Sequence, residues 1–408
     1  MPSISSTAAV PLANEKTVRP TILLKRLVYV GVFGPPFLAF ARSCYARGVA
    51  VYLLEIGAPE DVRSASVAGH GRLDAALLYR PEGISAIHDY VAHVRAEALI
   101  ALSERHILWL SSKRAAFEGL AKVLLPPYET LDRLRSKLSQ AALARHVGLD
   151  VLPTHVLRAS EDAALVPIEH FPLCLRPSTE DAVDPMFKVE VVSSPDELRR
   201  RLTNCRIAKS ILGQPFRTLP TLVVHGTSSE DGQPLHLAAF LADRKFEGVA
   251  LRLRKTELPL ELGQRLREFG RLTGLTGAYH YDFLYDRAAA QYYFLEVNPR
   301  LGGTTDKVIW LDYDEPALCL ESYGYKVGPP HRRFHSARSR VVNKRALLKH
   351  MMCALRGNTQ CVDYPPVSRC RHLLHSALDL LSARDSAFDF QDLAGTFSIH
   401  FRRPSPRP

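Results

Sequence analysis

The chain has 408 residues, 46% of them apolar and 23% charged, with a formal net charge of +11. That length exceeds one ordinary core and implies two or three domains, and the composition excludes a disordered chain in favour of a soluble globular one. Seven cysteines are dispersed with no C-x-x-C pair, which argues against a disulfide framework or cysteine zinc site and for reduced thiols in a cytoplasmic setting.

Residues 1–23 read as a loose tail without the apolar core of a secretory signal. Leu27 to Phe33, a helix-compatible stretch from Phe37 to Arg47 and a second apolar run from Val49 to Ile56 predict a strand, helix, strand unit of a parallel sheet. It is not a dinucleotide-binding unit. Gly31 to Pro36 lacks the G-x-G-x-x-G spacing, and two prolines remove amide donors where a phosphate would sit. Ala98 to Leu102 and Ile107 to Leu110 complete this α/β domain, which Pro126-Pro127 closes at about residue 127.

Tyr128 to Gly148 reads as one helix, with Leu131, Leu134, Leu138 and Ala142 on one side and glycine as the stop. A proline-containing strand follows from Leu149 to Leu157. Ser194 caps a helix with Asp196 and Glu197 in its first turn. Thr221 to His225 and Leu235 to Ala242 form a hairpin about Glu230 to Gln233. In the next strand Arg252 and Arg254 share a face, which meets either a substrate carboxylate or solvent. Leu258 to Thr273 and Asp312 to Tyr323 are amphipathic helices.

The densest chemistry lies in Gly277 to Thr304, where HYDFLY and QYYFLEV flank the turn-like DRAAA and predict a β-hairpin. Asp282 stands on the first strand, Glu296 on the second, and Asn298 on the same face as Glu296. Two carboxylates and an amide oxygen are hard ligands suited to Mg2+ held together with nucleotide phosphates. Arg300 follows as a fixed cation.

The run Glu296-Val297-Asn298-Pro299-Arg300-Leu301-Gly302-Gly303, with Asp282 on the preceding strand, resembles the metal-binding signature of the ATP-grasp superfamily, carboxylate-amine ligase type. The resemblance spans about Leu27 to Tyr325 and implies an α/β domain at 24–127, then an ATP-grasp domain at 128–328 with a lid at about 165–225. It implies ATP and Mg2+, with Mn2+ as an alternative ion, and places Asp282, Glu296 and Asn298 at the metal and Arg300 near the transferred phosphate. Lys137 resembles the lysine that contacts ATP phosphates. Phe171-Pro172 to Arg176-Pro177 resembles the lid strand F-P-x-x-x-K-P, with arginine in place of lysine. By the same resemblance Ser178 opens the phosphate loop, Gln214 and Phe216 lie at the adenine hinge, and Arg244 faces the phosphates. The loop from Ser178 to Pro185 departs from the family, having no glycine and three acids. The activity implied is an ATP-dependent ligase that activates a small carboxylate as an acyl phosphate and joins it to an amine. Carbamoyl-phosphate-synthase-like or carboxylase chemistry on bicarbonate, and a nucleotide-binding regulatory protein without turnover, are the rival readings.

Residues 329–408 form a separate basic extension. From His331 onward fourteen Lys and Arg face five Asp. Asn343 to Arg356 and Ser368 to Arg384 predict amphipathic helices, with Leu347, Leu348, Met351, Met352 and Leu355 on one side of the first and Leu373, Leu374, Leu378 and Leu381 on one side of the second. Such helices either dock their apolar side on their own protein or lie on an anionic membrane or a partner. No groove-reading or aromatic-interleaved motif accompanies the charge, so nucleic acid is not expected.

Overall fold

Arg26–Gly31 is buried at every position after the first, as a strand covered on both faces must be. It lies at the centre of a five-stranded parallel sheet in the order Gly69–Leu73, Ala50–Ile56, Arg26–Gly31, Ala98–Ile100, Lys122–Val123. The connecting helix, Pro35–Ala46, begins two residues earlier than its periodicity suggests. Pro35 and Pro36 occupy the first turn, where missing N–H groups cost no helical bond. The structure is a computed structural model describing residues 22–57, 63–179, 181–246, 249–332, 334–356 and 368–401. Residues 22 and 23, at the end of the expected loose tail, pair in parallel with Tyr325 and Lys326; the rest of that tail lies outside the described residues.

An eight-stranded sheet forms the body of the molecule. Its order is Arg384–Asp385, Val341–Val342, Val249–Thr256, Pro234–Phe246, Thr221–Ser228, Gly277–Asp286, Gln291–Asn298, Asp150–Val151. One face packs Tyr279, Tyr281, Phe283 and Phe294 against Leu266 and Phe269 of the Leu260–Thr273 helix. The other packs Ala238 and Phe240 against Ile309, Trp310 and Tyr313. The sheet is thus a filled layer whose two faces are set by the alternation of its side chains. Beside it stands a four-stranded antiparallel sheet, Glu190–Val192, Leu173–Pro177, Ile211–Pro215, His155–Leu157.

Two expectations change here. The helix expected over 128–148 is two, Tyr128–Arg135 and Lys137–His146, broken at Ser136, whose extended backbone and side chain cap the second. The basic extension is not only helical: Val341–Val342 pairs with Arg252 and Leu253, and Arg384–Asp385 adds outside it, so the extension completes the main sheet. Of its helices, Lys344–Leu355 buries Leu347 of its expected apolar side but leaves Leu348, Met352 and Leu355 exposed, and Arg369–Ser382 leaves Leu374, Leu378 and Leu381 exposed. Leu347, His350 and Ala354 face inward from the first, and His372, Ser376 and Asp379 from the second. Among the described residues no helix is long and apolar enough to cross a membrane.

Candidate active site

The site is built on the hairpin. Asp282 and Glu296 are direct cross-strand partners, and His280 pairs with Asn298 two residues away on the same face. Just beyond, the register shifts: Phe283 pairs with Phe294, leaving Leu295 as the extra residue of a bulge. The bulge lets the acids face one side while Phe283 and Phe294 fill the core on the other. Asn298 Nδ2 lies 3.5 Å from Asp282 Oδ2 and 3.4 Å from Glu296 Oε1. Arg300 Nη2 donates to Asn298 Oδ1 at 3.3 Å and also approaches Glu104 at 3.9 Å. The structure therefore brings together Asp282, Glu296, Asn298 and Arg300 as a cluster.

Arg176 reaches across from the four-stranded sheet and donates through Nη2 to Glu296 Oε2. Burial raises the Asp282 carboxyl above the usual carboxylate range, and the Glu296 charge beside it adds to the rise, against the pull of His225, Lys245 and Arg176. Burial acts on Glu296 in the same sense, but Arg176 first and Lys137 next outweigh it and hold Glu296 low. Among these cations Arg176 is hydrogen-bonded to the pair, while Lys137 and Lys245 act on it through charge. The two carboxylates, with no third acid grouped with them among the described residues and with the Asn298 amide beside them, its Nδ2 toward the acids and its Oδ1 toward Arg300, fit a hard divalent ion that shares its shell with phosphates better than a cation cage made by protein alone.

The break at Ser136 has a function in this geometry. It puts Lys137 at the first turn of its helix, where its charge acts on Glu296. Gln140, one turn later and buried, donates to Val297 O at 3.0 Å and to Leu134 O at 2.6 Å, and accepts from Val297 N at 2.8 Å. One side chain thereby ties both sides of the break to the strand residue between Glu296 and Asn298. The Lys137 N–H donates to Ser178 O at 3.3 Å, and the Ser178 N–H to Ser210 O at 3.0 Å. Ser178 is buried and lies beside the lysine. Of the loop acids, Asp181 binds Lys209 at 2.8 Å and Thr179 at 2.6 Å, which hold its carboxyl down at about 2; Glu180 lies outside the described residues.

Gln214 and Phe216 sit at the end of the strand paired with Arg176 and its neighbours. Gln214 donates to Thr154 Oγ1 at 2.9 Å, and Phe216 N–H to Pro172 O at 2.7 Å. They are in the same sheet as Arg176 but do not touch the hairpin acids by any hydrogen bond described.

Arg244 is a correction. Its guanidinium is turned away from the hairpin, buried against Asp379 at 3.0 Å, Ser376 at 2.9 Å and His372 O at 3.2 Å. The pairing with the next strand shifts register between Leu241 and Arg244 and again between Arg244 and Lys245. The neighbouring Lys245 acts on Asp282 instead, and burial lowers its ammonium to about 8. Arg252 meets neither substrate nor open solvent: it binds Asp243 at 2.7 Å and Asp379 at 2.9 Å, with Arg254 3.9 Å from Asp243.

A second polar group lies behind the hairpin. His225, fully buried, bonds Glu315 at 2.7 Å through Nδ1 and Thr304 Oγ1 at 2.8 Å through Nε2, and stacks on His280. Thr305 Oγ1 donates to Glu315 at 2.6 Å. Burial, with His225 and Arg300 nearby, keeps His280 well below the ordinary imidazole range, hence neutral. Gly302 packs on that ring: a Cβ there would come within 2.7 Å of it, so glycine is required by close approach. His225 and Glu315 escaped the sequence reading because they lie ninety residues apart. The one available signal was a histidine amid the apolar Thr221–Ser228 strand.

The fold recurs in solved structures. The biotin carboxylase domain of Hydrogenobacter thermophilus 2-oxoglutarate carboxylase, solved with MgADP, ADP and bicarbonate, has a TM-score of 0.58, covering 77% of this chain and 73% of its own at 15% identity. An N5-carboxyaminoimidazole ribonucleotide synthetase in complex with ADP has a TM-score of 0.60, covering 89% of this chain and 98% of its own at 13% identity. The chain has the ATP-grasp fold. The L-amino acid ligase of Bacillus licheniformis shares it, with a TM-score of 0.57 over 76% of this chain and 77% of its own at 17% identity. The ATP-grasp architecture expected from Glu296 to Gly303 is borne out by these likenesses of fold. No family model and no curated protein matches the sequence.

Proposed function

We propose that this ATP-grasp protein is an ATP-dependent ligase that activates a small carboxylate and joins it to an amine. The observation that carries the reading is the convergence of Asp282, Glu296 and Asn298 beside three cations from three separate elements, Lys137, Arg176 and Lys245. Acids so placed and so incompletely neutralised fit a divalent ion, and the cations fit a polyphosphate. Asp282, Glu296 and Asn298 would hold Mg2+, which draws charge from the phosphate oxygens.

The chain's own residues do the rest. Arg176, which reaches the hairpin from the four-stranded sheet, would offer its fork of donors to the phosphate; Lys137 and Lys245 would add charge, and Arg300 would stand at the transferred group. A carboxylate oxygen bonds to the γ-phosphorus as its bond to ADP breaks. An amine nitrogen then bonds to the acyl carbon, losing a proton as phosphate departs. No protein nucleophile is needed. The six described cysteines are free thiols, which supports a reducing, cytoplasmic setting.

The test is release of ADP and phosphate from Mg-ATP across pairs of amino acids, small carboxylic acids and amines, with bicarbonate included. Release that needs both an acid and an amine supports the ligase. Release with bicarbonate alone would favour carboxylase-like chemistry, and tight ATP binding with no release under any pair would favour a regulatory protein.

A further inference from the structure

We propose that the outer face of the paired helices Lys344–Leu355 and Arg369–Ser382 docks the protein on an anionic membrane surface. This stands apart from the ligase reading and rests on the extension alone. The helices are joined to each other and to the sheet by polar groups. His350 and His372 meet ring to ring, 4.2 Å between centroids, and Arg369 Nε donates to Ala354 O at 2.6 Å at the end of the first helix. Inward, Ser376 and Asp379 receive Arg244, and Asp379 also receives Arg252 and Arg340. These bonds fix the rotation of the second helix, so its leucines cannot turn to the core without stranding buried charge.

The consequence is an apolar outer side on helices that carry enough leucine for a core. Leu348, Met352 and Leu355 are 52%, 50% and 59% exposed, and Leu374, Leu378 and Leu381 are 59%, 52% and 79% exposed. Single exposed apolar side chains are ordinary, but five leucines and a methionine on two neighbouring helices are not. Charge selects the occupant. Lys344, Arg356, Arg369 and Arg371 lie on or at the ends of these helices, whose one acid, Asp379, is buried within the arginine cluster. An outer side that is apolar and purely basic repels a second copy of itself and attracts anionic headgroups, between which the leucines insert. Neither helix can span a bilayer, so the contact is peripheral.

Flotation of the full chain with vesicles tests this, comparing phosphatidylcholine alone with a mixture holding about one third phosphatidylserine. The expected result is flotation with the anionic vesicles only, weakened in about 0.5 M salt. Leu374→Ser with Leu378→Ser and Leu381→Ser should lower vesicle affinity by more than about tenfold while leaving the melting temperature in place. Lys344→Glu with Arg371→Glu, which removes charge but no leucine, should lower it to a similar extent. Failure of the wild type to float with anionic vesicles overturns the proposal, as does wild-type flotation by both variants. So does a wild-type dimer that the leucine variant turns into a monomer, since a second copy would then cover the face.

Discussion

Buried acids meet the main sheet in two places, a pair on its hairpin and Asp379 on the helix Arg369–Ser382, and they are treated in opposite ways. On the hairpin, Asp282 and Glu296 face each other with Arg176 bonded to one of them, and Asp282 is left with its carboxyl raised. At the far side, the single carboxylate of Asp379 receives Arg244 at 3.0 Å, Arg252 at 2.9 Å and Arg340 at 3.5 Å. Compensation in excess makes a joint: two strands, the residue before a third and a helix are held by one acid. Compensation in deficit makes a site, because an added cation relieves it.

The comparison breaks most sharply in turnover. Glu296→Gln should cost about a thousandfold in ATP turnover, measured by phosphate release, since it removes charge where the ion and phosphates meet. The same kind of change at the joint should act on folding. Asp379→Ala strands buried arginines and should lower stability by about 3–5 kcal/mol in a urea titration. Gln140→Leu should lie between them, losing about 1–3 kcal/mol of stability and roughly tenfold in kcat with KM for ATP little changed, because it frees the strand between Glu296 and Asn298 without touching either.

The smallest effect has the opposite sign. Asp282 is raised above its unfolded value by burial and by Glu296. Its penalty is therefore absent at low pH, where both states are protonated, and grows as pH rises through the raised value. Asp282→Asn should raise the melting temperature of the metal-free protein by roughly 2–4 °C near pH 8 and by less near pH 5. A variant that melts lower at both would mean that Asp282 is a joint like Asp379.

What could be read from the sequence follows the same division. The hairpin was legible because its information is local: alternating strands, a turn and E-x-N-P-R within one stretch. The strand, helix, strand start was legible for the same reason. Lys137 was singled out, but not the break at Ser136 that puts it in the first turn of its helix, because a capping serine inside a good helical period looks like any surface serine. Arg244 was placed by the resemblance alone, and the register shifts on either side of it leave no mark in composition. The extension's helices were expected but the side each turns inward was left open, because periodicity shows that a helix has two faces but not which face the arginines of another strand will claim. His225 with Glu315, and Gln140 with Val297, are pairings across long separations that one sequence does not display.

Calorimetric titration of Mg-ATP into the wild type and into the Asp282→Asn, Glu296→Gln double variant, with and without Mg2+, tests the central claim most directly. The account predicts Mg2+-dependent nucleotide binding by the wild type, and loss of that Mg2+ dependence in the folded variant. Equal Mg2+-dependent binding by both proteins would contradict it.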